Sequence, residues 1–279
     1  FVLGDITRKE DVERVFELHS IDAVFHFAGL KAVWESCEQP FSYYFNNVVG
    51  TLNLLKCMDA HGVRDIVFSS SATVYDGHQT SAPYTEESPL WTHNPYGSTK
   101  LIIEQLLSDM SEQKNFRSIS LRYFNPIWAH PSGVIGESPT WTPNNLLPYL
   151  MEVASGKRAT LTIFWNDFDT PDGTWIRDYI HVVDLVEAHR VAYTHLLKQK
   201  VGYDDVVNLG TGNGTSVFEM VNMTQELTGT QIRYTVWDRR PWDGDIITCD
   251  PSKAERVLDW KATRSIQEAI RDAWRFVNK

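Results

Sequence analysis

The chain has 279 residues and a mass of 32.0 kDa, room for one large domain or two modest ones around a substantial core. Its 26 Lys and Arg against 36 Asp and Glu leave a formal charge of −10, which argues against a nucleic-acid or anionic-membrane surface, because both need a basic excess. A hydrophobic fraction of 42% with 22% charged residues excludes disorder as the main state, and the one oddity is 10 Trp beside only 16 Gly.

Short β-rich apolar runs alternate with helical periodicity, the pattern of a parallel α/β sheet. Residues 1–6 (FVLGDI) read as the end of a strand, and residues 9–19 as a helix with Val12, Val15 and Phe16 on one face. The near-continuous apolar run at 21–28 (IDAVFHFA) predicts a strand buried on both faces. A helix over 41–61 leads to a strand over 64–70, and a helix over 96–114 to a strand over 117–123. From 125 to 178 the sequence is irregular and rich in Pro, Gly and Trp, interrupted by a short helical stretch at 146–155. A helix over 182–198 and a strand over 205–209 restore the pattern, and helices near 216–228, 251–258 and 265–277 close it.

Cys37, Cys57 and Cys249 lie far apart with no C-x-x-C pair, which argues against a disulfide framework or structural zinc and fits a reducing, cytoplasmic compartment. No run approaches about 18 apolar residues, so no membrane span is predicted, and no basic-then-apolar leader precedes the first strand. His26, His130 and His181 lack metal-ligand spacing and read as structural, so no metal site is predicted. The sequons at Asn213 and Asn222 read as chance occurrences.

In a doubly wound sheet, ligands gather beyond the carboxyl ends of the strands. Gly29-Leu30-Lys31, Ser71-Ala72-Thr73 and Phe124-Asn125 are therefore expected to line one crevice. Tyr96-Gly97-Ser98-Thr99-Lys100 opens a helix, and Tyr and Lys four residues apart share one helical face. A cation there favours phenolate and lowers the tyrosine pKa from about 10. A phenolate is a general base for an alcohol or sugar hydroxyl. Alone the motif is weak; its weight comes from a preceding strand that ends in Ser69-Ser70-Ser71 and, before that, an HFAG turn.

Taken in order, HFAGLKAV (26–33), NN (46–47), FSSSATVY (68–75), PYGSTK (95–100), LRYFNP (121–126), AHPSG (129–133), PNNLLPY (143–149), IRDYIHVVDL (176–185) and the pair Arg239-Arg240 resemble the UDP-glucose 4-epimerase family of extended short-chain dehydrogenases/reductases. The resemblance runs from Phe1 to Lys279. It implies an α/β fold with a doubly wound, parallel, Rossmann-like sheet over residues 1–125 and a smaller α/β substrate-binding domain over 126–279, of which about 180–210 returns to the first sheet. It also implies one NAD cycled within each turnover and the interconversion of UDP-glucose and UDP-galactose, a step of galactose metabolism. In that scheme Tyr96 takes the proton of the sugar 4-hydroxyl as hydride leaves C4. Lys100 lowers the Tyr96 pKa and bonds the nicotinamide ribose, while Ser71 bonds the reacting hydroxyl and shuttles its proton.

By the same resemblance, Asp5 and Ile6 match the adenine end of the cofactor site, and Phe27, Ala28, Gly29 and Lys31 the turn beneath it. A buried Lys31 is costly without a ligand, and Lys31, Ser71 and Tyr96 are also assigned to the substrate. Asn46 matches a polar cofactor contact with Asn47 serving the backbone, and Ser69 and Tyr123 are assigned to the cofactor, Tyr123 on its nicotinamide side. Asn125 and Asn145 offer amides to the nucleotide sugar, and Leu146 an apolar contact. Arg177 and Arg240 face the diphosphate, since guanidinium forks match phosphate oxygens. Asp243 takes a ribose hydroxyl, Tyr179 lies near the hexose, and Phe164 forms a wall beside the uracil. Ile247 limits room at the sugar 2-substituent, favouring UDP-glucose and UDP-galactose over their N-acetyl forms. The helices at 41–61 and 96–114 are candidates for pairing a homodimer through a four-helix bundle.

Two departures stand out. The family's Gly-rich first turn, which seats a pyrophosphate on helix amides, does not occur here, and family analogy puts about 50 residues before Phe1. Such a truncated chain is expected to hold NAD weakly or not at all and to expose apolar surface and a strand edge. Trp34, Trp91, Trp128, Trp141, Trp165, Trp175 and Trp242 stand where the family usually has Gly or a small residue. Several are expected in turns that want positive φ, or to overpack at about 1–3 kcal/mol per buried site. The rival readings are a sugar-nucleotide 4,6-dehydratase, which needs an acidic pair where Ala72-Thr73 stands, another extended family member such as a uronate decarboxylase, and a non-catalytic fragment or pseudoenzyme.

Overall fold

A computed structural model of the chain describes residues 1–76, 82–138, 143, 145–164, 166–237 and 244–279. In chain order the elements are α1 (Lys9–Leu18), β1 (Ala23–His26), α2 (Val33–Glu38), α3 (Pro40–Tyr43), a π-helical segment (Tyr44–Val49), α4 (Gly50–Ala60), β2 (Asp65–Ser71), α5 (Pro95–Lys114), β3 (Arg117–Tyr123) and β4 (Asn125–Ile127). There follow α6 (Leu146–Ala154), β5 (Leu161–Phe164), β6 (Ile176–His181), α7 (Val182–Leu196), β7 (Asp204–Leu209), β8 (Gly214–Ser216), α8 (Val217–Thr228), β9 (Tyr234–Trp237), β10 (Ile246–Ile247), α9 (Ser252–Leu258) and α10 (Ile266–Val277). They form two units, one of Phe1–Asp76, Glu86–Tyr123 and His189–Val207, the other of Gly77–Thr85, Phe124–Ala188 and Asn208–Lys279.

The first unit is built on a sheet of order β1-β2-β3-β7, with β1–β2 and β2–β3 parallel. β2 is buried along its whole length, as a central parallel strand must be, and Ile66 and Phe68 pack with Leu54, Met58, Ile103 and Leu107. β1 differs from expectation. Its Phe25 is 40% exposed, because β1 pairs with β2 alone among the described residues, and the Phe25 ring leans on Tyr193 at 5.5 Å between centroids. Residues 1–6 form no strand either. With no ladder to join, their backbone turns to side chains: Asn53 Nδ2 donates to the Ile6 and Thr7 carbonyls at 3.2 and 3.0 Å.

The helix expected over 41–61 is three pieces, α3, the π-helical segment and α4, preceded by the unanticipated α2. α4 approaches residue 6 so closely that a Cβ on Gly50 would lie 2.6 Å from Ile6 Cδ1.

The second unit folds α6, α8 and α10 around Ile127, Leu147, Leu150, Met151, Met220 and Ile270. Capping boxes start α8 (Ser216 with Glu219) and α10 (Ser265 with Glu268), and Gly229 at φ +68° ends α8. The stretch expected to be irregular holds β4, β5 and β6: β10-β6-β4 form one sheet, β8 adds antiparallel to β6, and β5 pairs β9. Buried Asp178 ties this unit together, accepting from Thr211 N (2.9 Å), Thr211 Oγ1 (2.7 Å), Gly212 N (2.8 Å) and Cys249 N (3.2 Å).

None of the four described tryptophans takes a positive φ, and the overpacking expected of them does not arise at the two exposed ones. Trp34 and Trp91 are 57% and 64% exposed, Trp128 and Trp175 are half-buried, and among the described residues only Asn115 and Asp259 are non-glycines with positive φ. An exposed indole has nothing to overpack. Trp141, Trp165 and Trp242 lie outside the described residues. Within the described residues no helix is long and apolar enough to cross a membrane, the cysteines form no disulfide, and no acidic, His or Cys cluster suits a metal ion.

Candidate active site

In the first unit, Asn94 caps α5, its side chain accepting from Gly97 N at 2.8 Å, and Pro95 fills the first turn. Gly97 is required here, since a Cβ would come within 2.6 Å of the Thr73 carbonyl oxygen. The helix start is thus pressed against the 3₁₀ turn Ala72–Val74 that follows β2, which Ser71 caps by accepting from Thr73 N at 3.3 Å. This approach brings the Ser71 hydroxyl to the Tyr96 phenol. Burial pushes the Tyr96 pKa above its ordinary value, and the bond to Ser71 offsets that only in part.

Lys100, one turn further on and buried, donates from Nζ to the Ser69 carbonyl at 2.6 Å, with Ser69 Oγ at 3.5 Å. Its ammonium lies 4.7 Å from the Phe68 ring centroid and 5.8 Å from that of Tyr96. Burial lowers its pKa to about 8 against an upward pull from Glu104. The Lys100 ammonium is anchored on a β2 carbonyl, and Ser71 is the group whose bond draws the phenol down.

The three serines of β2 take different partners. Ser69 receives Lys100, Ser71 meets Tyr96, and between them Ser70 Oγ donates to Glu104. Glu104 in turn pairs with Arg122 through two bonds, Nη2 to Oε2 at 2.6 Å and Nε to Oε1 at 2.9 Å. Arg122 also bonds the Tyr75 hydroxyl at 2.9 Å and stacks over its ring at 4.8 Å.

Phe27, Ala28, Gly29 and Lys31 are all exposed on the turn after β1, so the cost of burying Lys31 does not arise. Asn47 clamps this turn: its Oδ1 accepts from Leu30 N at 2.8 Å, and its Nδ2 donates to Leu30 O and to Thr99 Oγ1 at 3.0 Å each. A Cβ on Gly29 would stand 3.3 Å from Asn47 Oδ1. Asn46 is half-buried and donates to Asn47 Oδ1. Asp5 and Ile6 lie on the start of the chain's first turn, where Asp5 Oδ1 accepts from Thr7 N and Thr7 Oγ1 at 2.8 Å, bonds that lower its pKa.

Tyr123, buried at the end of β3, bonds Ser69 and His189 Nε2 through its hydroxyl. His189 also stacks near Phe27, 4.9 Å between centroids. Sequence reasoning misses His189. The available signal is a polar residue in the stripe of α7 whose neighbours Leu185, Ala188, Ala192 and Leu196 are all buried. The three discounted histidines have local roles. His26 bonds Thr51 Oγ1 at 2.8 Å and is held neutral, its pKa lowered to about 3 by burial and then by the Lys100 charge; His130 bonds Ser132, and His181 bonds Asp272 at 3.1 Å.

These residues fit the nicotinamide end of NAD on two observations. An ammonium carries three donors, and buried Lys100 directs its hydrogen bonds to Ser69 alone among the described residues. The Gly29 turn presents backbone that a side chain would crowd against Asn47.

In the second unit, Trp175, Arg177 and Tyr179 alternate along β6 and its approach and so share one face. Asn125 of β4 is in register with Tyr179, and Ile247 of β10 with Arg177, so four sequence-predicted substrate residues meet on one small sheet. Arg177 is buried, donating from Nη1 to Ile176 O at 2.9 Å. The Tyr179 hydroxyl is buried without a hydrogen-bond partner among the described residues, and burial raises its pKa while Arg177 opposes this. An unsatisfied buried hydroxyl costs about 1–3 kcal/mol, which marks a place for a ligand atom. Other predicted residues sit on other elements. Asn145 is exposed before α6 and donates to Glu137 at 3.2 Å, Leu146 packs on the core, and Phe164 ends β5 in register with Trp237. Arg240 and Asp243 lie outside the described residues.

The model of the GDP-mannose 4,6 dehydratase family matches residues 1–273. A UDP-glucose 4-epimerase of Bacillus subtilis is 51% identical over 279 residues, covering 99% of this chain and 81% of the relative. One of Cyamopsis tetragonoloba is 49% identical over 276 residues, covering 99% and 78%. The UDP-glucose 4-epimerase of Stenotrophomonas maltophila, solved with NAD and formylated UDP-arabinopyranose, superposes with a TM-score of 0.95 at 41% identity, covering 100% of this chain and 82% of that one. That of Bifidobacterium longum, in complex with NAD+ and UDP, gives 0.93 at 45% identity, covering 99% and 82%. The chain belongs to the GDP-mannose 4,6 dehydratase family, among its UDP-glucose 4-epimerases.

Proposed function

We propose that the chain interconverts UDP-glucose and UDP-galactose with NAD as its resident cofactor. The observation that carries this reading is the corner where the Tyr96 phenol meets the Ser71 hydroxyl with buried Lys100 one helical turn away. Bound NAD supplies the acceptor and donor of hydride at sugar C4. Tyr96 takes the 4-hydroxyl proton and later returns it, and Ser71, bonded to that phenol, passes the proton between sugar and tyrosine. Because burial holds the phenol pKa high, the acceptor form needs positive charge nearby, and Lys100 supplies it while protonated below about pH 8.

Lys100, Ser69, Tyr123, Asn46, Phe27, Ala28, Gly29 and Lys31 hold the cofactor, and the resemblance adds Asp5 and Ile6 at its adenine end. Arg177 takes the diphosphate through its planar fork. The Tyr179 hydroxyl and the Asn125 amide take hexose hydroxyls, Asn145, Leu146 and Phe164 serve the uridine, and Arg240 and Asp243 join them by resemblance. Dehydration, the other chemistry of this family, needs an acid–base pair after Ser71, and Ala72 and Thr73 offer none. Half-buried Ile247, in register with Arg177, favours the unsubstituted sugars over their N-acetyl forms.

The enzyme works as a homodimer in the cytoplasm on this reading. Exposed Phe41, Tyr44 and Phe45 on α3 and the π-helical segment offer an apolar strip to a second copy, and three cysteines without a disulfide suit a reducing compartment. Incubation of the purified chain with UDP-galactose and added NAD, followed by proton NMR, is expected to show UDP-glucose forming, and Tyr96→Phe to slow it by about 10²–10⁴-fold. Tight binding of NAD and UDP without any conversion would sink the proposal.

A further inference from the structure

Trp175 reads in the sequence as a misfit, yet its place gives it a task. It stands immediately before β6, two residues from Arg177, and alternate residues of an extended chain share a face. The Arg177 Cζ lies 4.7 Å from the Trp175 ring, within the range of about 6 Å over which a guanidinium is attracted to an aromatic face. The indole is itself fixed, half-buried and packed on the core of the second unit with Leu146 and Tyr149. One edge of the guanidinium is fixed too, through Nη1 to the Ile176 and Asp245 carbonyls at 2.9 and 3.5 Å. A flat surface on one side and two carbonyls at one edge leave the fork a single plane.

We infer that Trp175 is a positioning residue for phosphate recognition: it holds the Arg177 guanidinium flat, so that the fork meets a nucleoside diphosphate already oriented. The inference rests on the assignment of Arg177 to the diphosphate. Preorganising a donor removes the entropy cost of ordering a long side chain on binding, so loss of the platform weakens diphosphate binding without touching the chemical step.

Calorimetric titration with UDP of the full chain, Trp175→Gly, Trp175→Phe, Arg177→Ala and the double variant tests this. Trp175→Gly is expected to raise the UDP Kd about five-fold, the size of a part-buried cation–π contact. Trp175→Phe regains most of that loss, and Trp175→Gly adds nothing once Arg177 is Ala. For UDP-galactose the KM rises and kcat stays. If Trp175→Gly does not fold, Trp175→Leu keeps the apolar bulk without the π-face and is expected to show the same loss. Equal weakening by the Trp175 change with and without Arg177, or no weakening, overturns the inference and leaves Arg177 on the diphosphate. An unchanged Kd for Arg177→Ala overturns the Arg177 assignment itself.

Discussion

One turn of α5 separates two buried charges that the protein treats in opposite ways. Glu104 is met by Arg122 through two bonds and by Ser70 through a third, and Arg122 turns its Nη1 to Tyr75 and to the Glu86 carbonyl. Lys100 is as deeply buried, but it has no carboxylate within ion-pair reach among the described residues and turns to Ser69. The second unit repeats the contrast between neighbours: Asp178 receives four bonds, while the Tyr179 hydroxyl has none among the described residues. A buried group satisfied on every side holds the fold, and on the proposed function the underbonded Lys100 and Tyr179 are the ones left to meet ligands.

The widest test is to remove groups of the second kind. Tyr96→Phe is expected to lower the rate of UDP-galactose conversion by about 10²–10⁴-fold, the range for loss of a general base, with the melting temperature unmoved. A variant that kept its rate would collapse the distinction. Next in size is a group of the first kind: Arg122→Ala strands Glu104 in the interior and should cost about 3–5 kcal/mol in urea unfolding. Tyr179→Phe should do the reverse, leaving stability unchanged or improved by up to about 1–3 kcal/mol while KM for UDP-galactose rises.

Much of this corner is legible in the sequence, for a physical reason. β2 and β3 are seven residues each, long enough to show Ile66-Val67-Phe68 as a run and Ile119, Leu121 and Tyr123 as an alternation, and Asn94, Pro95 and Gly97 announce the start of α5 by cap, φ restriction and close approach. β4, β8 and β10 have only two or three residues, too few to show any period, and exist because β6 is there to pair with. The partners of Lys100 are hidden for another reason. Spacing puts Lys100 on the face of Tyr96 but says nothing of the Ser69 carbonyl, a backbone atom brought close by tertiary packing. His189 is hidden likewise, since its partners Tyr123 and Phe27 are remote in sequence.

Two smaller effects sharpen the contrast. Because burial lowers the Lys100 pKa from 10.5 to about 8, the unfolded chain binds this proton more tightly than the folded one between those values. The burden of a buried charge is therefore full below about pH 8 and is relieved as pH rises towards 10.5. The wild-type chain should gain stability relative to Lys100→Met across that interval, seen by paired urea titrations; a constant difference would refute it. Smallest of all, Trp34→Gly and Trp91→Gly should shift stability by no more than about 0.5 kcal/mol, since both indoles are exposed.

The π-helical segment Tyr44–Val49 gives the long helix two phases. Its backbone closes on the fifth residue rather than the fourth, and the side chains before it are rotated relative to those after it. Loss of one residue would close the wide turn to an ordinary α-helical one and displace Asn47, which lies within the segment. Leu30 and Thr99 would lose their clamp together. A single wide turn thus sets how the turn after β1 is held.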